Sequence, residues 1–463
     1  MPNQIVYCGR SSRPDSIGGS CTIRDIEIEN HNYRVVIDCG PEVRNEFEDT
    51  LQPVTPDFSF IEEDGKKVDA VVLTHAHTDH VGAVAMLARR KLLAEDAKIF
   101  ASPQTSAFLP YVLEDGLKHA PEYTAFDIAG ILNRRQVIEK PGEVEILPDL
   151  KMFVFQNGHG LPGSFGLVLD DGLFTGDFCF QDMPTTKGLQ LPSVAKWPSK
   201  YLPRRIDGSD CTYTGKAATT FESEVNRMYD AVDRVMQNDG TVIFAAFASG
   251  RTQNLAMLLT ERFGVPVYID GLGRTFYRIC QEQRWNDNDA MLPKLGGKRG
   301  IKIVSDKTRD DLIQSSEPKI VITTGGMGSF GPILSYMDRY LPDRKSAVFF
   351  SSWLAPGTNG EKLLRLALKH QEGFSFSLKE RNGSESVQVR AAIDRFSMSG
   401  HGGQDDSIKF FGDIMALRGG VRFDSIACAH GTHEGKREAL DLFTPLAHQI
   451  FVVEQGTRIV FNC

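Results

Sequence analysis

Short apolar runs alternate along this chain with longer segments of helical composition. Residues 69–74 (DAVVLT) predict a buried strand, and the Ala- and Leu-rich residues 81–94 predict a helix after it. Between residues 241 and 352, four more apolar runs are separated by helical segments and glycine-rich loops, a pattern typical of a parallel sheet. The pattern therefore predicts an α/β protein.

The loop between residues 74 and 81 carries four potential metal ligands. They are His75, His77, Asp79 and His80, and they include three of the chain's eleven histidines. In an extended loop every second residue points to one side, so the first three share a side while His80 turns away. Helix capping by Thr78 or Asp79, with surface histidines beside it, is the alternative, but it leaves the clustering unexplained. One short loop can therefore serve two metal ions.

HAHTDH at residues 75–80 resembles the HxHxDH signature of the metallo-β-lactamase fold, an αββα sandwich that binds one or two zinc ions. Asp38, after an apolar run and before Cys-Gly, is similar to the first motif of that fold. The carboxylate of that motif orients a ligand histidine without binding metal; a simple Asp-containing turn is the alternative. His159, and Asp177 in TGDF, resemble the third and fourth metal motifs.

Further motifs resemble the β-CASP branch of this fold, the nucleases that process RNA and DNA, such as ribonuclease J and the cleavage-and-polyadenylation endonuclease. DCTY at residues 210–213 is similar to an acidic motif of that branch, although Asp210 stands where Glu is commoner. His401, in SMSGH, and His430, in CAHGTH, look like the motif-B and motif-C histidines. FAAFASGRTQ, TTGGMGSFGP and SSWLAPGTNG also look characteristic of the branch.

The resemblance implies three segments. Residues 1–214 are expected to form the first part of a metallo-β-lactamase domain. Residues 215–385 are expected to form an inserted β-CASP cap, an α/β domain with a parallel sheet. Residues 386–463 are expected to complete the first domain.

The resemblance also implies a two-metal site. One ion would be held by His75, His77 and His159. The second would be held by Asp79, His80 and His430, with Asp177 bridging the two. Histidine and carboxylate ligands without clustered cysteine suit two zinc ions and tolerate manganese.

Catalytic and substrate-binding roles follow from the same resemblance. His401 is expected to protonate the leaving 3′ oxygen, with Asp210 orienting it or raising its pKa, and Asp79 also counts among the catalytic residues. Four polar residues are expected to contact phosphate: Ser399, Arg251, Arg381 and Arg390. The alternative is that they lie on the solvated surface or form structural ion pairs.

Composition and charge restrict the expected partners and the expected location of the protein. The 463 residues carry a net charge of −8, which gives no general support to nucleic-acid binding, although a local basic groove or bound metal can still bind phosphate. No apolar stretch approaches the roughly 20 residues that span a bilayer, and no secretory signal is visible, so no membrane partner is expected. Eight scattered cysteines without a CxxC pair favour reduced thiols and a cytoplasmic location.

The expected function is a zinc-dependent ribonuclease that hydrolyses RNA phosphodiester bonds as an endonuclease, a 5′-exonuclease or both. His430 points to RNA, because the DNA-repair branch usually has valine at that position. The alternatives are a DNA nuclease of the same fold, a non-catalytic RNA-processing scaffold and a hydrolase of small molecules. The natural RNA, the native metal and the oligomeric state, with a homodimer as one option, stay open.

Overall fold

The structure, a computed structural model, describes residues 3–9, 17–29, 31–47, 50–119, 122–190, 197–214, 220–285, 292–297, 300–370, 373–380 and 383–461. Up to residue 210 its strands are β1 (Gln4–Tyr7), β2 (Ile17–Gly18), β3 (Cys21–Ile28), β4 (His31–Cys39), β5 (Glu42–Phe47), β6 (Thr50–Val54), β7 (Val68–Leu73), β8 (Leu93–Ala101), β9 (Arg135–Val137), β10 (Gly142–Leu147), β11 (Leu150–Gln156), β12 (Phe165–Leu169), β13 (Gly172–Phe174) and β14 (Arg205–Asp210). The helices of this part are α1 (Ser59–Asp64), α2 (Thr78–Val81), α3 (Val84–Arg89), α4 (Pro103–His119) and α5 (Ala125–Leu132), with a 3₁₀ turn at Ser199–Tyr201.

The middle and last parts of the chain continue this series. The middle part contains α6 (Phe221–Met236), β15 (Val242–Ala246), α7 (Arg251–Phe263), β16 (Val267–Asp270), α8 (Gly273–Gln283), β17 (Ile301–Ile303), α9 (Arg309–Gln314), β18 (Ile320–Thr324), α10 (Ile333–Tyr340), β19 (Ala347–Phe350), α11 (Asn359–Ala367), β20 (Phe374–Glu380), β21 (Gly383–Val389) and β22 (Ala392–Arg395). The last part contains α12 (Gln404–Leu417), β23 (Phe423–His430), α13 (His433–Phe443), β24 (Ala447–Val452) and β25 (Arg458–Val460).

Two seven-stranded sheets pack face to face. Their strand orders are β25-β1-β3-β4-β7-β8-β9 and β10-β11-β12-β13-β14-β23-β24. Apolar side chains from both sheets, such as Val72 and Val154, form one buried cluster between them. Helices α3, α4 and α5 cover the outer face of the first sheet, and α12 and α13 cover that of the second. The predicted αββα sandwich is therefore confirmed.

The inserted sheet has the order β17-β16-β18-β15-β19-β22 and is parallel throughout, which confirms the predicted parallel-sheet cap. Its last strand, β22, lies beyond residue 385, so the predicted domain ranges stay a prediction. Because the strands are parallel, the loops that follow β15, β18, β19 and β22 all leave from one edge of the sheet.

The end of the chain returns to the two larger sheets. Strand β23 pairs in parallel with both β14 and β24, and β25 pairs with β1, with Gln4 opposite Val460. A central strand of the second sheet thus comes from a segment more than 200 residues after its neighbour.

The prediction of one helix over residues 81–94 is wrong, because the segment forms a shorter helix and then the start of a strand. Helix α2 ends at Val81, α3 ends at Arg89, and β8 begins at Leu93. Lys91 has a φ of 55°, a left-handed conformation that ends the helix. Leu93 pairs with Val68 of β7, so sheet pairing overrides the helical composition of the segment.

Within the described residues, no helix combines the length and apolar character needed to cross a bilayer.

Candidate metal centre and active site

The predicted site residues meet where strands end. Asp38 lies next to the end of β4, the histidine loop follows β7, His159 follows β11 and Asp177 follows β13. Asp210 and His430 are the last residues of the adjacent parallel strands β14 and β23 and pair with each other. His401 follows β22 of the inserted sheet. The two larger sheets and the inserted sheet therefore all contribute side chains to one place.

His75, His77, His159 and Asp177 form the first group of potential ligands. Nδ1 of His77 lies 3.1 Å from Nε2 of His75 and 3.0 Å from Nε2 of His159. Oδ2 of Asp177 lies 3.5 Å and 3.8 Å from the same two Nε2 atoms. One ligand atom from each of the four residues thus lies within 4.8 Å of all the others.

Hydrogen bonds determine which nitrogens of this group carry protons. Nδ1 of His159 lies 2.7 Å from the carbonyl oxygen of Gly400, which can only accept, so Nδ1 carries the proton and Nε2 presents a lone pair. Burial lowers the pKa of His77 to about 4 and that of His159 to about 3, so both rings are neutral at pH 7.

This first group fits a divalent cation. Three ring nitrogens converge at about hydrogen-bond distance, where lone pairs repel one another unless a proton or a cation lies between them. Oδ2 of Asp177 faces these nitrogens. Imidazole nitrogen and carboxylate oxygen are ligands that zinc accepts.

Asp79, His80 and His430 form the second group. Oδ2 of Asp79 lies 3.2 Å from Nε2 of His430 and 3.8 Å from Nε2 of His80. Oδ1 of Asp177 lies 3.3 Å from Nε2 of His80, while Oδ2 faces the first group. Asp177 thus stands between the two groups.

The second group concentrates negative charge. Burial alone would lower the pKa of His430, but the carboxylates of Asp177, Asp210 and Asp79 raise it to about 10. Burial alone would also raise the pKa of Asp79, yet His80 and His430 hold it well below the usual range. The three carboxylates Asp79, Asp177 and Asp210 outnumber the two histidines of this group, His80 and His430. This excess of negative charge also favours a bound cation.

Asp38 holds two of the histidines. Nδ1 of His80 donates to Oδ2 of Asp38 at 2.7 Å, and the amide and hydroxyl of Thr74 donate to Oδ1 at 2.8 Å and 3.0 Å. Because the hydroxyl proton points to the carboxylate, Nδ1 of His75, 3.1 Å from Thr74 Oγ1, is the donor in that contact. Asp38 therefore orients His80 directly and His75 through Thr74.

Asp210 repeats this arrangement on the other side of the site. Nδ1 of His401 donates to Oδ2 of Asp210 at 2.8 Å, and the Thr212 hydroxyl donates to Oδ1 at 2.6 Å. Nδ1 of His430, 2.9 Å from Thr212 Oγ1, must then donate to that oxygen. Thr212 and Thr74 were missed as site residues, although Thr212 lies within the DCTY motif and Thr74 directly precedes the histidine motif.

His401 is placed to carry a proton at the surface of the site. Burial alone would lower its pKa, but the negative charges of Asp210 and Asp177 raise the pKa above the usual range. Its side chain is 20% exposed, whereas those of His75, His80, His159 and His430 are at most 5% exposed. Its ring lies 5.1 Å from the ring of His159 and 5.6 Å from that of His430.

The four expected phosphate contacts are placed differently from one another. Ser399 accepts the backbone N–H of His401 at 3.0 Å, so it shapes the His401 loop. Arg251 begins α7 at the site-facing edge of the inserted sheet. Arg390 precedes β22, at the opposite edge of the sheet, and is exposed, so the structure does not bring it to the cluster. Arg381 lies outside the described residues.

The inserted sheet is docked onto the metal loops through α7. A Cβ on Gly250 would lie 2.5 Å from the carbonyl oxygen of Gly160, next to His159, and Gly250 has a φ of 71°. Asn254 donates to the same carbonyl at 3.4 Å and accepts from the Thr185 amide at 3.0 Å. Only glycine permits so close an approach of the two backbones.

Comparison with known proteins agrees with this geometry. Residues 26–246 match a family model described as the metallo-beta-lactamase superfamily, and residues 252–363 match one described as the Beta-Casp domain. Transcription termination factor FttA of Thermococcus kodakarensis is 30% identical over 344 residues, covering 67% of this chain and 50% of that protein. The chain therefore spans about half the length of this curated relative.

In two further matches, the aligned region covers a larger share of the matched protein. RNase aCSPSF2 of Saccharolobus solfataricus is 26% identical over 446 residues, covering 94% of this chain and 82% of that protein. The crystal structure of a protein of unknown function from Enterococcus faecalis covers both chains completely, with a TM-score of 0.57 at 13% identity. This second likeness concerns the fold alone.

Proposed function

Because the chain belongs to the metallo-β-lactamase superfamily and carries a β-CASP domain, we propose that it is a metal-dependent ribonuclease that hydrolyses RNA phosphodiester bonds. The single observation that carries the proposal is the continuous cluster of all seven expected ligands with the Asp210–His401 pair beside it. A scaffold without activity has no need of such a cluster, and a hydrolase of small molecules has no need of His401 and the inserted sheet.

Two zinc ions, with manganese as a substitute, are the proposed metals. One would be held by His75, His77 and His159 and the other by Asp79, His80 and His430, with Asp177 shared. Bound there, such ions supply charge stabilisation at phosphate and lower the pKa of water.

The protein's own side chains supply the proton for the leaving oxygen and orient the ring that donates it. His401 is proposed to be an imidazolium whose Nδ1–H donates to Asp210 and whose Nε2–H is delivered to the leaving 3′ oxygen. Asp210 favours the charged imidazolium and fixes its ring orientation. Ser399 is proposed to hold the loop so that His401 faces the substrate.

RNA is preferred over DNA for two reasons. His430 occupies the position where the DNA-repair branch resembled by this chain usually has valine. A relative similar over most of its length is named an RNase.

Hydrolysis of a labelled single-stranded RNA and of the matching DNA tests the proposal. We expect metal-dependent cleavage of RNA, loss of cleavage in Asp79→Ala and a strong loss in His401→Ala. Cleavage of DNA alone would contradict the ribonuclease assignment, and full activity of Asp79→Ala would contradict the metal assignment. Product ends from 5′-monophosphorylated and 5′-hydroxyl RNA distinguish endonuclease from 5′-exonuclease action.

A cytoplasmic location is also proposed, supported by the burial of all seven described cysteines as free thiols. A homodimer is an option that sedimentation of the purified chain decides.

A further inference from the structure

Arg251 is a partly buried cation for which no described residue supplies a counter-ion. Its Nε and Nη1 atoms are buried and make no hydrogen bond to any described residue. Burial lowers its pKa to about 10, and Tyr213 is the titratable group whose charge acts on it. The guanidinium nevertheless stays protonated at pH 7.

Two other arginines with largely buried side chains, Arg34 and Arg309, are neutralised by carboxylates. Arg34 is paired with Asp25 at 2.8 Å and with Asp64 at 2.6 Å. Arg309 is paired with Asp270 at 2.6 Å. Because an unpaired buried charge is strongly unfavourable, the contrast indicates that the partner of Arg251 is a molecule that binds to this surface.

Arg251 lies beside the proposed catalytic centre without belonging to it. Its neighbour Gly250 packs against Gly160, the residue after His159. On its other side stands Tyr213, whose ring centre is 6.1 Å from that of His401. No carboxylate of the metal cluster is among the groups that act on the Arg251 charge. Arg251 is therefore free to bind an anion next to the centre.

The position of Arg251 on its helix favours the same kind of ligand. It is the first residue of α7, a helix of 13 residues whose amino end faces the metal loops. The positive end of the helix dipole at that end favours an anion. The residue keeps partial exposure, so the outer edge of the guanidinium can reach a ligand.

We propose that Arg251 binds a phosphate of the RNA backbone that neighbours the scissile phosphate, so that the enzyme requires a chain with at least one flanking phosphate. The inference rests on the proposed function and deepens it. On a protein with a net charge of −8, such a local cation is what holds the backbone in place beside the metals.

Two substrates that differ in flanking phosphate test the inference. A short single-stranded RNA has neighbouring phosphates, whereas bis(p-nitrophenyl) phosphate is a phosphodiester with none. We expect Arg251→Gln to lower kcat/KM for RNA by about 10- to 100-fold, as for loss of a charge-assisted hydrogen bond, and to leave hydrolysis of bis(p-nitrophenyl) phosphate unchanged. Arg251→Lys should recover part of the loss, because it restores charge without the forked geometry.

A methylphosphonate at the flanking linkage removes the charge from the substrate instead. It should slow the wild-type enzyme as much as Arg251→Gln does, and it should slow Arg251→Gln no further. The matched control is Arg339→Gln, an exposed arginine on α10 of the same inserted unit, which should behave as wild type on both substrates.

Equal losses of Arg251→Gln on both substrates, or no loss on RNA, overturn the inference. If the wild type cleaves neither substrate, the proposed function is wrong. RNA binding without catalysis then tests the role of Arg251 on its own. With chelated protein and no turnover, Arg251→Gln should reduce the slope of log affinity against log salt for single-stranded RNA by about 0.7, the value for one phosphate contact. An unchanged slope overturns the inference independently of catalysis.

Discussion

At the residue scale, the site contains two similar carboxylate–threonine pairs. Asp38 with Thr74 holds His80 and His75, and Asp210 with Thr212 holds His401 and His430. In each pair the carboxylate binds one ring directly and the other through the threonine hydroxyl. Such outer contacts fix which ring nitrogen faces the metal or the substrate.

Thr212→Val removes the hydroxyl between Asp210 and His430 at nearly constant volume. Loss of the acceptor for His430 Nδ1 frees that ring, so we expect zinc affinity to fall by roughly 10- to 100-fold, while Thr212→Ser stays close to wild type. Competition with a chromophoric chelator measures the affinity. Thr358→Val, a buried hydroxyl that caps α11, is the control and should lower stability without changing zinc binding; equal zinc affinity of Thr212→Val and wild type would refute the relay.

Asp38 combines this role with an unusual backbone conformation. Its φ of 56° is costly for most residues but tolerated by Asn. Asp38→Asn should therefore keep the fold but weaken zinc binding, because the amide carries no charge for His80. Asp38→Ala should in addition lower the unfolding free energy by about 1–3 kcal/mol, since buried donors lose their acceptor. Thermal melts with and without zinc separate the two effects, and identical behaviour of the two variants would contradict this account.

At the element scale, the site depends on close contact between the end of β4 and α2, which carries Asp79 and His80. A Cβ on Gly40, the residue after β4, would lie 1.9 Å and 2.0 Å from the backbone carbon and oxygen of Asp79. The amide of Ser20 also donates to the Asp79 carbonyl at 2.8 Å. These backbone contacts place Asp79 and His80 before any metal binds.

Gly40→Ala should displace this loop, because the clash is with backbone and no side chain can turn away. We expect a loss of roughly 3 kcal/mol in unfolding free energy together with weaker zinc binding. Gly412→Ala, inside α12 with open space around its Cα, is the control and should stabilise by about 0.5–1 kcal/mol. Urea unfolding of the two variants measures both values; a Gly40→Ala protein as stable as wild type would contradict the close packing.

Elements with strong local patterns were predictable from sequence. The apolar run before His75 forms β7, and the turn at Asp170 and Asp171, with φ values of 46° and 60°, joins β12 to β13. The segment at residues 81–94 was not predictable, because its helical composition yields to pairing of Leu93 with a strand that its local sequence does not reveal.

At the scale of the whole molecule, the metal cluster joins the two larger sheets. His75, His77 and His80 follow a strand of the first sheet, whereas His159, Asp177 and His430 follow strands of the second. Bound metal therefore opposes the separation of the two halves of the sandwich. Bound metal should therefore raise the unfolding free energy of the whole fold and not only order the histidine loop.

Removal of metal by a chelator should lower the melting temperature, and zinc should restore it. For a ligand at a concentration of one hundred times its Kd, binding contributes about 2.7 kcal/mol. Differential scanning calorimetry at several zinc concentrations measures the shift. Asp79→Ala should show a smaller shift and Gly412→Ala the full one; a melting temperature independent of zinc in the wild type would contradict the connection between sheets.

The sequence by itself determined the class of fold and predicted the histidine loop and the seven ligands, because short spacings and family motifs survive in the linear order of residues. Only the tertiary structure brought Asp79 to within 3.2 Å of His430, 351 residues away, since long-range strand pairing sets that distance. The same pairing places Thr74 and Thr212 between carboxylates and rings, and moves Arg390 to the far edge of the inserted sheet. Whether a cation such as Arg251 has a counter-ion depends on every neighbour in space, and that is a property of the folded chain alone.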